Sequence, residues 1–201
     1  IDLKSFYASV ECVELGLDPF KVNLVVADPT RGGGAITLAA TPAIKKLGVS
    51  SRGRIFEIDP KIEYMIAPPR MHLYMEYSCK VYKVFLEFIA KEDIHVYSID
   101  ESFLDVTSYL KLYQVNAKEL AKKILDRIYE KTGLTATVGI GTNLYLAKIA
   151  MDISAKHNAD RMAYLNEDLY RQTLWHHVPL TDFWMLGNGT ERRLHKLGIY
   201  D

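Results

Sequence analysis

Tyr97-Ser98-Ile99-Asp100-Glu101-Ser102-Phe103-Leu104-Asp105-Val106 is a β-forming run interrupted by two adjacent carboxylates. Ile94 and Val96 precede the pair, and Phe103, Leu104 and Val106 follow it, so apolar residues grip it from both sides. Neighbouring residues of a strand point to opposite faces, so Asp100 and Glu101 can serve one site only if the backbone bends there or one of them acts from an edge. A further acid, Asp2, stands in Ile1-Asp2-Leu3-Lys4-Ser5-Phe6-Tyr7, again at the end of a strand. Three carboxylates brought together repel unless cations lie between them. A cluster with only oxygen donors suits Mg²⁺, which takes few protein ligands and leaves room for substrate phosphates.

Working outward, Ser5 to Leu15 reads as a short helix ended by Gly16, and Val22 to Ala27 as a buried strand. Gly32-Gly33-Gly34 lacks the Lys-Ser or Lys-Thr of a phosphate loop, so it is expected to be a hairpin loop returning through Ala35 to Ala40. Thr41-Pro42 opens a helix closed by Gly48, with Lys45 and Lys46 near its end. Met71 to Ala90 is a long helix with Leu73, Tyr77, Val81, Val84, Phe85 and Phe88 on one face. Asn116-Ala117-Lys118-Glu119 has the form of a capping box, and its helix runs to Gly133. Thr135 to Ile140 alternates as a strand, Leu144 to Ala155 forms another helix, and Met162 to Leu165 a last strand. This β–β–α–β–α–β order predicts an α+β fold with a ferredoxin-like antiparallel sheet and helices on one face, which sets Asp2 beside Asp100 across strands.

The 201 residues are 49% apolar and 25% charged, enough for a sizeable core. Lys plus Arg and Asp plus Glu each number 25, so net charge does not point to a nucleic-acid partner. Two cysteines, Cys12 and Cys79, form neither a disulfide scaffold nor a Cys-x-x-Cys pair, and a reducing cytoplasm is expected. No apolar run reaches membrane-spanning length, so no membrane partner is expected. The histidines, His176-His177 among them, show no metal-ligand spacing. Ile1 starts at the tail of a strand and Tyr200-Asp201 closes no element, so the chain is expected to be a fragment of a longer polypeptide.

Asp2-Leu3-Lys4-Ser5-Phe6-Tyr7-Ala8-Ser9-Val10-Glu11 and the Tyr97–Val106 run together resemble the two catalytic motifs of Y-family, translesion DNA polymerases, in the UmuC-type (ImpB/MucB/SamB) branch. The resemblance runs over nearly the whole chain. It implies a ferredoxin-like palm at 1–5 and 74–165, a small fingers subdomain at 6–73, and at 166–201 the start of a helical thumb with a helix–hairpin–helix. The family's C-terminal little finger has no counterpart here. It implies two Mg²⁺ ions, with Mn²⁺ as a substitute. Asp2 and Asp100 would bridge both, Glu101 would join the ion nearer the primer, and the Leu3 carbonyl the ion on the triphosphate side. Tyr7 matches the steric gate under the nascent sugar, and Phe6 would position the same region of the nucleotide.

The resemblance also implies a triphosphate contact for Lys45, where the family offers Arg, and leaves Pro42 without a role. Lys156 matches a triphosphate-binding lysine, although it follows Asp152 by four residues where many members have three, and one residue turns a helical side chain by about 100°. Lys148 either touches DNA phosphate or faces solvent. Gly187, Gly189 and Thr190 would meet the DNA backbone. Primer–template DNA and deoxynucleoside triphosphates are the implied partners, with a sliding clamp and SOS accessory proteins by family analogy. A diguanylate-type cyclase would need Gly-Gly-Asp/Glu-Glu-Phe where Ser98-Ile99-Asp100-Glu101-Ser102 stands. A decayed, DNA-bound scaffold would be free to lose Asp2, Asp100 and Glu101, which are intact.

Overall fold

The computed structural model describes residues 1–201. Along the chain run β1 (Asp2–Leu3), α1 (Phe6–Glu14), β2 (Leu24–Val26), β3 (Ala39–Ala40), α2 (Pro42–Lys45), β4 (Met65–Ala67), α3 (Met71–Leu86), β5 (Ile94–Val96) and β6 (Ser102–Leu104). There follow α4 (Thr107–Tyr113), α5 (Ala117–Thr132), β7 (Ala136–Gly141), α6 (Leu144–Ile149), β8 (Met162–Leu165), α7 (Glu167–Thr173) and α8 (Asn188–Lys196).

The main sheet has β1 at its centre. β1 pairs antiparallel with β7, in the register Asp2 to Thr137. On its other side a single antiparallel bridge joins Asp2 to Glu101, so the β5–β6 hairpin continues the sheet. The bridge is flanked by Leu3 N–H donating to the Asp100 carbonyl (2.9 Å) and Ser102 N–H donating to that of Ile1 (3.0 Å). The order β5-β6-β1-β7 is the ferredoxin-like one expected; β8 is added outside it, parallel to β7.

The faces of β7 explain how the helices are laid. Ala136 and Val138 belong to the main core with Leu120, Ile124 and Ile128 of α5 and Val81 and Phe85 of α3. Gly139 and Gly141 face the other way. A Cβ at Gly139 would collide with the main chain of Ala147 and Met151, and one at Gly141 with that of Leu146 and Ala147. Without side chains at these positions, α6 lies directly on the strand. Helices therefore cover both faces, not the single face expected, because a parallel β7–α6–β8 crossover needs its helix on the side opposite α3 and α5. Leu3 is in the core, so Asp2, its neighbour on the strand, faces the α6 side.

The helix signals behave as their chemistry predicts. Asn116 accepts from Glu119 N–H (2.9 Å) while the Glu119 carboxylate accepts from Asn116 N–H (2.9 Å), the reciprocal pair that starts α5. Gly133, at φ 70°, ends it. In α3, Tyr74, Tyr77, Val81, Val84 and Phe85 recur at helical spacing and are buried.

A second sheet, in the order β3-β2-β4, carries the small core of Val25, Ala40, Ile44 and Ile58. Here β4, parallel to β2, was not foreseen, and the return strand expected over 35–40 contracts to Ala39–Ala40 behind 3-10 turns at Pro29–Gly34. Leu146, Ile149, Leu165, Leu174, Leu180 and Phe183 form another core, which seats the C-terminal helical region on α6. In that region α8 follows Gly187 as expected, but the arm before it is a single 3-10 turn, Leu180–Asp182. No helix is long and apolar enough to cross a membrane.

Candidate active site

The alternation problem posed by Asp100 and Glu101 is resolved by the backbone. Glu101 is already in register opposite Asp2, so their side chains lie side by side on the α6 face. Asp100 sits in the bend just before it, held by a hydrogen bond from Ser98 Oγ to its Oδ1 (2.8 Å). Burial, with Asp100 and Glu101 adding to it, pushes the Asp2 carboxyl above its ordinary pKa despite the opposing charge of Lys156. The three acids named from sequence thus act on one another within one site.

Two lysines answer them. Lys148, expected to touch DNA phosphate or face solvent, is turned away from solvent. Its side chain is 8% exposed, with Nζ 2.6 Å from Glu101 Oε1, 3.1 Å from Asp152 Oδ2 and 5.9 Å above the Tyr97 ring. Its burial follows from α6 lying on the acid-bearing face. Lys156 reaches Asp152 Oδ1 (2.8 Å) and Asp2 Oδ2 (3.4 Å). Burial works against its charge, but Asp2 and Asp152 prevail and hold its pKa above the ordinary lysine range. The spacing concern at Lys156 is met by a π turn over Ala150–Ser154, in which Ala155 N–H donates to the Ala150 carbonyl. The wider turn absorbs one residue, and Lys156 still faces Asp2.

Lys45 donates to Ser5 Oγ (3.0 Å) at the exposed rim. Burial and the nearby Lys156 and Lys4 charges lower its pKa, with Asp2 opposing them. Lys4, unmarked in the sequence reading, is likewise lowered by burial and by Arg161, Lys46 and Lys156. Lys4, Lys45 and Lys156 therefore form a basic rim beside the acids, legible beforehand only as scattered lysines.

Tyr7 is half-buried and stacked on Tyr74, with centroids 4.4 Å apart and planes 14° from parallel. Burial and the Asp100 charge raise its pKa. Behind the stack, Tyr74 O–H donates to Glu11 Oε1 (2.6 Å), and Glu11, 3% exposed, also accepts from Arg70 Nε (3.1 Å) and Nη2 (2.5 Å). Glu11 stands at the end of the first motif with no role implied for it, although a glutamate among apolar residues of an amphipathic helix signals a partner. Phe6, by contrast, is 3% exposed and packs in the main core edge-on to Tyr74, so its ring lies behind Tyr7 and away from the mouth. Gly187, Gly189 and Thr190 are gathered at the start of α8, remote in sequence from the acids; Thr190 N–H donates to the Gly187 carbonyl (2.8 Å). Pro42 is buried at the start of α2.

The donor set fits a hard divalent cation by chemistry, since Asp2, Asp100 and Glu101 offer only carboxylate oxygens. Glu101 Oε1 is buried with no well-directed hydrogen bond, although the close Lys148 ammonium offsets its charge, which leaves coordinating capacity. No group of three or more His, Cys, Asp or Glu side chains has converged into a ready metal cage.

The model of the impB/mucB/samB family matches residues 1–152. The chain belongs to this family. UvrX of Bacillus subtilis, provisionally named a UV-damage repair protein, is 39% identical over 202 residues, covering 99% of this chain and 47% of its own. The impB/mucB/samB chain is 36% identical over 203 residues to DNA polymerase IV 2 of the same organism, with coverage of 99% and 47%. It spans about half the length of the curated relatives it matches. Among solved structures, DinB from Sulfolobus solfataricus superimposes with a TM-score of 0.78 at 28% identity, over 100% of this chain and 57% of that one. A Y-family DNA polymerase chimera of Dbh and Dpo4 gives 0.80 at 28% identity, over 100% and 57%.

Proposed function

We propose that this chain is the catalytic core of a translesion DNA polymerase, adding deoxynucleotides to a primer 3′-hydroxyl under the direction of a template. The observation that carries the reading is the Asp2–Glu101 bridge. It sets the acid of the first motif beside those of the second, with a rim of lysines next to them. In this reading residues 1–5 and 74–165 are the palm, 6–73 the fingers and 166–201 part of the thumb.

Asp2, Asp100, Glu101 and the Leu3 carbonyl would hold the divalent ions, Mg²⁺ or Mn²⁺, which when bound neutralise phosphate charge and lower the pKa of the attacking hydroxyl. The chain's own residues do the remaining work. Lys156 and Lys45, with Lys4 behind them, attract and orient the triphosphate as point charges. Tyr7 sets the floor under the sugar, and the backbone of the Asp2–Glu101 bridge fixes the spacing of the acids. The α8 N-terminus at Gly187, Gly189 and Thr190 would meet a DNA phosphate. Phosphoryl transfer depends on such positioning and charge more than on covalent help. A cytoplasmic role in DNA damage tolerance, with SOS accessory proteins and a sliding clamp as partners, goes with this reading.

The test is Mg²⁺-dependent extension of a labelled primer by the full-length protein beside an Asp100→Ala, Glu101→Ala double variant. Extension by the parent alone is expected. No extension by a folded, DNA-bound parent would replace this reading with that of a non-catalytic scaffold.

A further inference from the structure

Asp152 belongs to neither acidic motif, yet it stands between the two lysines of the site. Its Oδ2 is 3.1 Å from Lys148 Nζ and its Oδ1 2.8 Å from Lys156 Nζ. Those lysines in turn meet Glu101 (2.6 Å) and Asp2 (3.4 Å). The result is an unbroken ladder of alternating sign, Glu101–Lys148–Asp152–Lys156–Asp2.

We propose that Asp152 is a positioning residue, a tether that keeps Lys156 aimed at the site after Asp2 has released it. The two lysines are not equivalent. Lys148 is 8% exposed and clamped from both ends, so it is fixed; Lys156 is 42% exposed, and its contact with Asp2 is the longest in the ladder. With a divalent cation held at Asp2, Lys156 would give up Asp2 Oδ2 while Asp152 retains the lysine. Lys4 and Lys45 are near enough for their charges to act on that ammonium, and a triphosphate would bring its charge there. The tether also serves the acids. Without Asp152, each lysine would be left paired to one acid alone, Lys148 to Glu101 and Lys156 to Asp2, and would neutralise it fully. Shared with Asp152, they leave both acids charge to spend on a cation.

The role of the cation rests on the polymerase reading; the tether itself does not. Amine acylation of the full-length protein, read at Lys148 and Lys156 by mass spectrometry, separates the two. In the parent, Lys156 should label slowly with or without Mg²⁺. In Asp152→Asn with Mg²⁺, its labelling should rise about fivefold, the factor a partly exposed ion pair carries, while Lys148 stays slow in both. Asp152→Glu should restore the parent pattern. The KM for deoxynucleotide should rise in Asp152→Asn with kcat nearly unchanged. Equal labelling of Lys156 with and without Asp152→Asn in an Asp2→Asn background, where Asp2 no longer holds the lysine, would overturn the tether, as would an Asp152→Glu variant that labels like Asp152→Asn. A rise in Asp152→Asn that is the same without Mg²⁺ would uphold the tether and count against cation binding at Asp2. The parent alone carries a check that needs no substitution. Raising salt from about 0.05 to about 0.5 M should screen the half-exposed pair and speed labelling at Lys156, leaving Lys148 unchanged. Labelling at Lys156 indifferent to salt would also overturn the tether.

Discussion

Replacing Arg70 with leucine should destabilise the protein more than replacing its partner Glu11 with glutamine, because the two ends of this ion pair sit in different media. The Glu11 side chain is 4% exposed and that of Arg70 is 44% exposed. Losing Arg70 removes two of the three hydrogen bonds that Glu11 accepts and strands a carboxylate with only the Tyr74 hydroxyl. Breaking a fully buried pair costs about 3–5 kcal/mol. The exposure of Arg70 and the surviving Tyr74 bond reduce this to about 2–3 kcal/mol. Glu11→Gln instead leaves a guanidinium that water can solvate, keeps the side-chain volume and still accepts from one donor, at about 1 kcal/mol. Urea unfolding of both single variants and the double variant measures each cost and their coupling, expected at about 1 kcal/mol. A Glu11→Gln cost equal to or above that of Arg70→Leu would refute the assignment of the buried end to the carboxylate.

Gly139→Ala should cost about 3 kcal/mol, since its Cβ has no room against the main chain of α6; an unchanged melting temperature would contradict the direct seating of that helix. Asn116→Ala should cost about 1 kcal/mol through loss of the reciprocal cap, read by thermal melting. Tyr7→Ala should raise ribonucleotide incorporation by roughly tenfold to a hundredfold, and an unchanged sugar preference would remove Tyr7 from the gate. Burial and carboxylate bonds raise the Tyr74 pKa strongly and that of Tyr77 to about 12. The unfolded chain loses these protons first, from its ordinary value of 10.0 upward, so stability should fall as pH rises through 10 to 12. Tyr74→Phe, Tyr77→Phe should flatten that fall; a parent whose stability does not change over this window would rule the shifts out.

The ferredoxin-like order was legible because its signals are local. The Asn116–Glu119 cap, the Gly133 stop and the periodicity of α3 each declare an element without reference to the rest of the chain. The pairing of Asp2 with the second motif followed from strand order and family resemblance together. What escaped depends on tertiary placement. Lys148 reads as a surface lysine until Gly139 and Gly141 are seen to draw α6 onto the acid-bearing face. Glu11 closes the first motif and Asp152 precedes Lys156, yet neither motif assigns them a partner; those of Glu11 lie at and within the start of α3, and those of Asp152 are set by α6 and the π turn. Strand β4 is only Met65–Ala67, too short for any periodicity to show. Phe6 and Tyr7, adjacent in sequence, part company because one side of α1 faces the core and the other the site.

The π turn at Ala150–Ser154 bears on how such sites should be sought in genomes. A pattern that fixes the number of residues between an acid and a lysine assumes a regular helix between them. Here the interval is one residue longer than the common form, and the lysine nonetheless arrives at Asp2. In this chain the π turn keeps the final side chain directed at Asp2 with the extra residue in place. A sequence profile that permits a gap of one within this helix would accept this chain where rigid spacing would discard it.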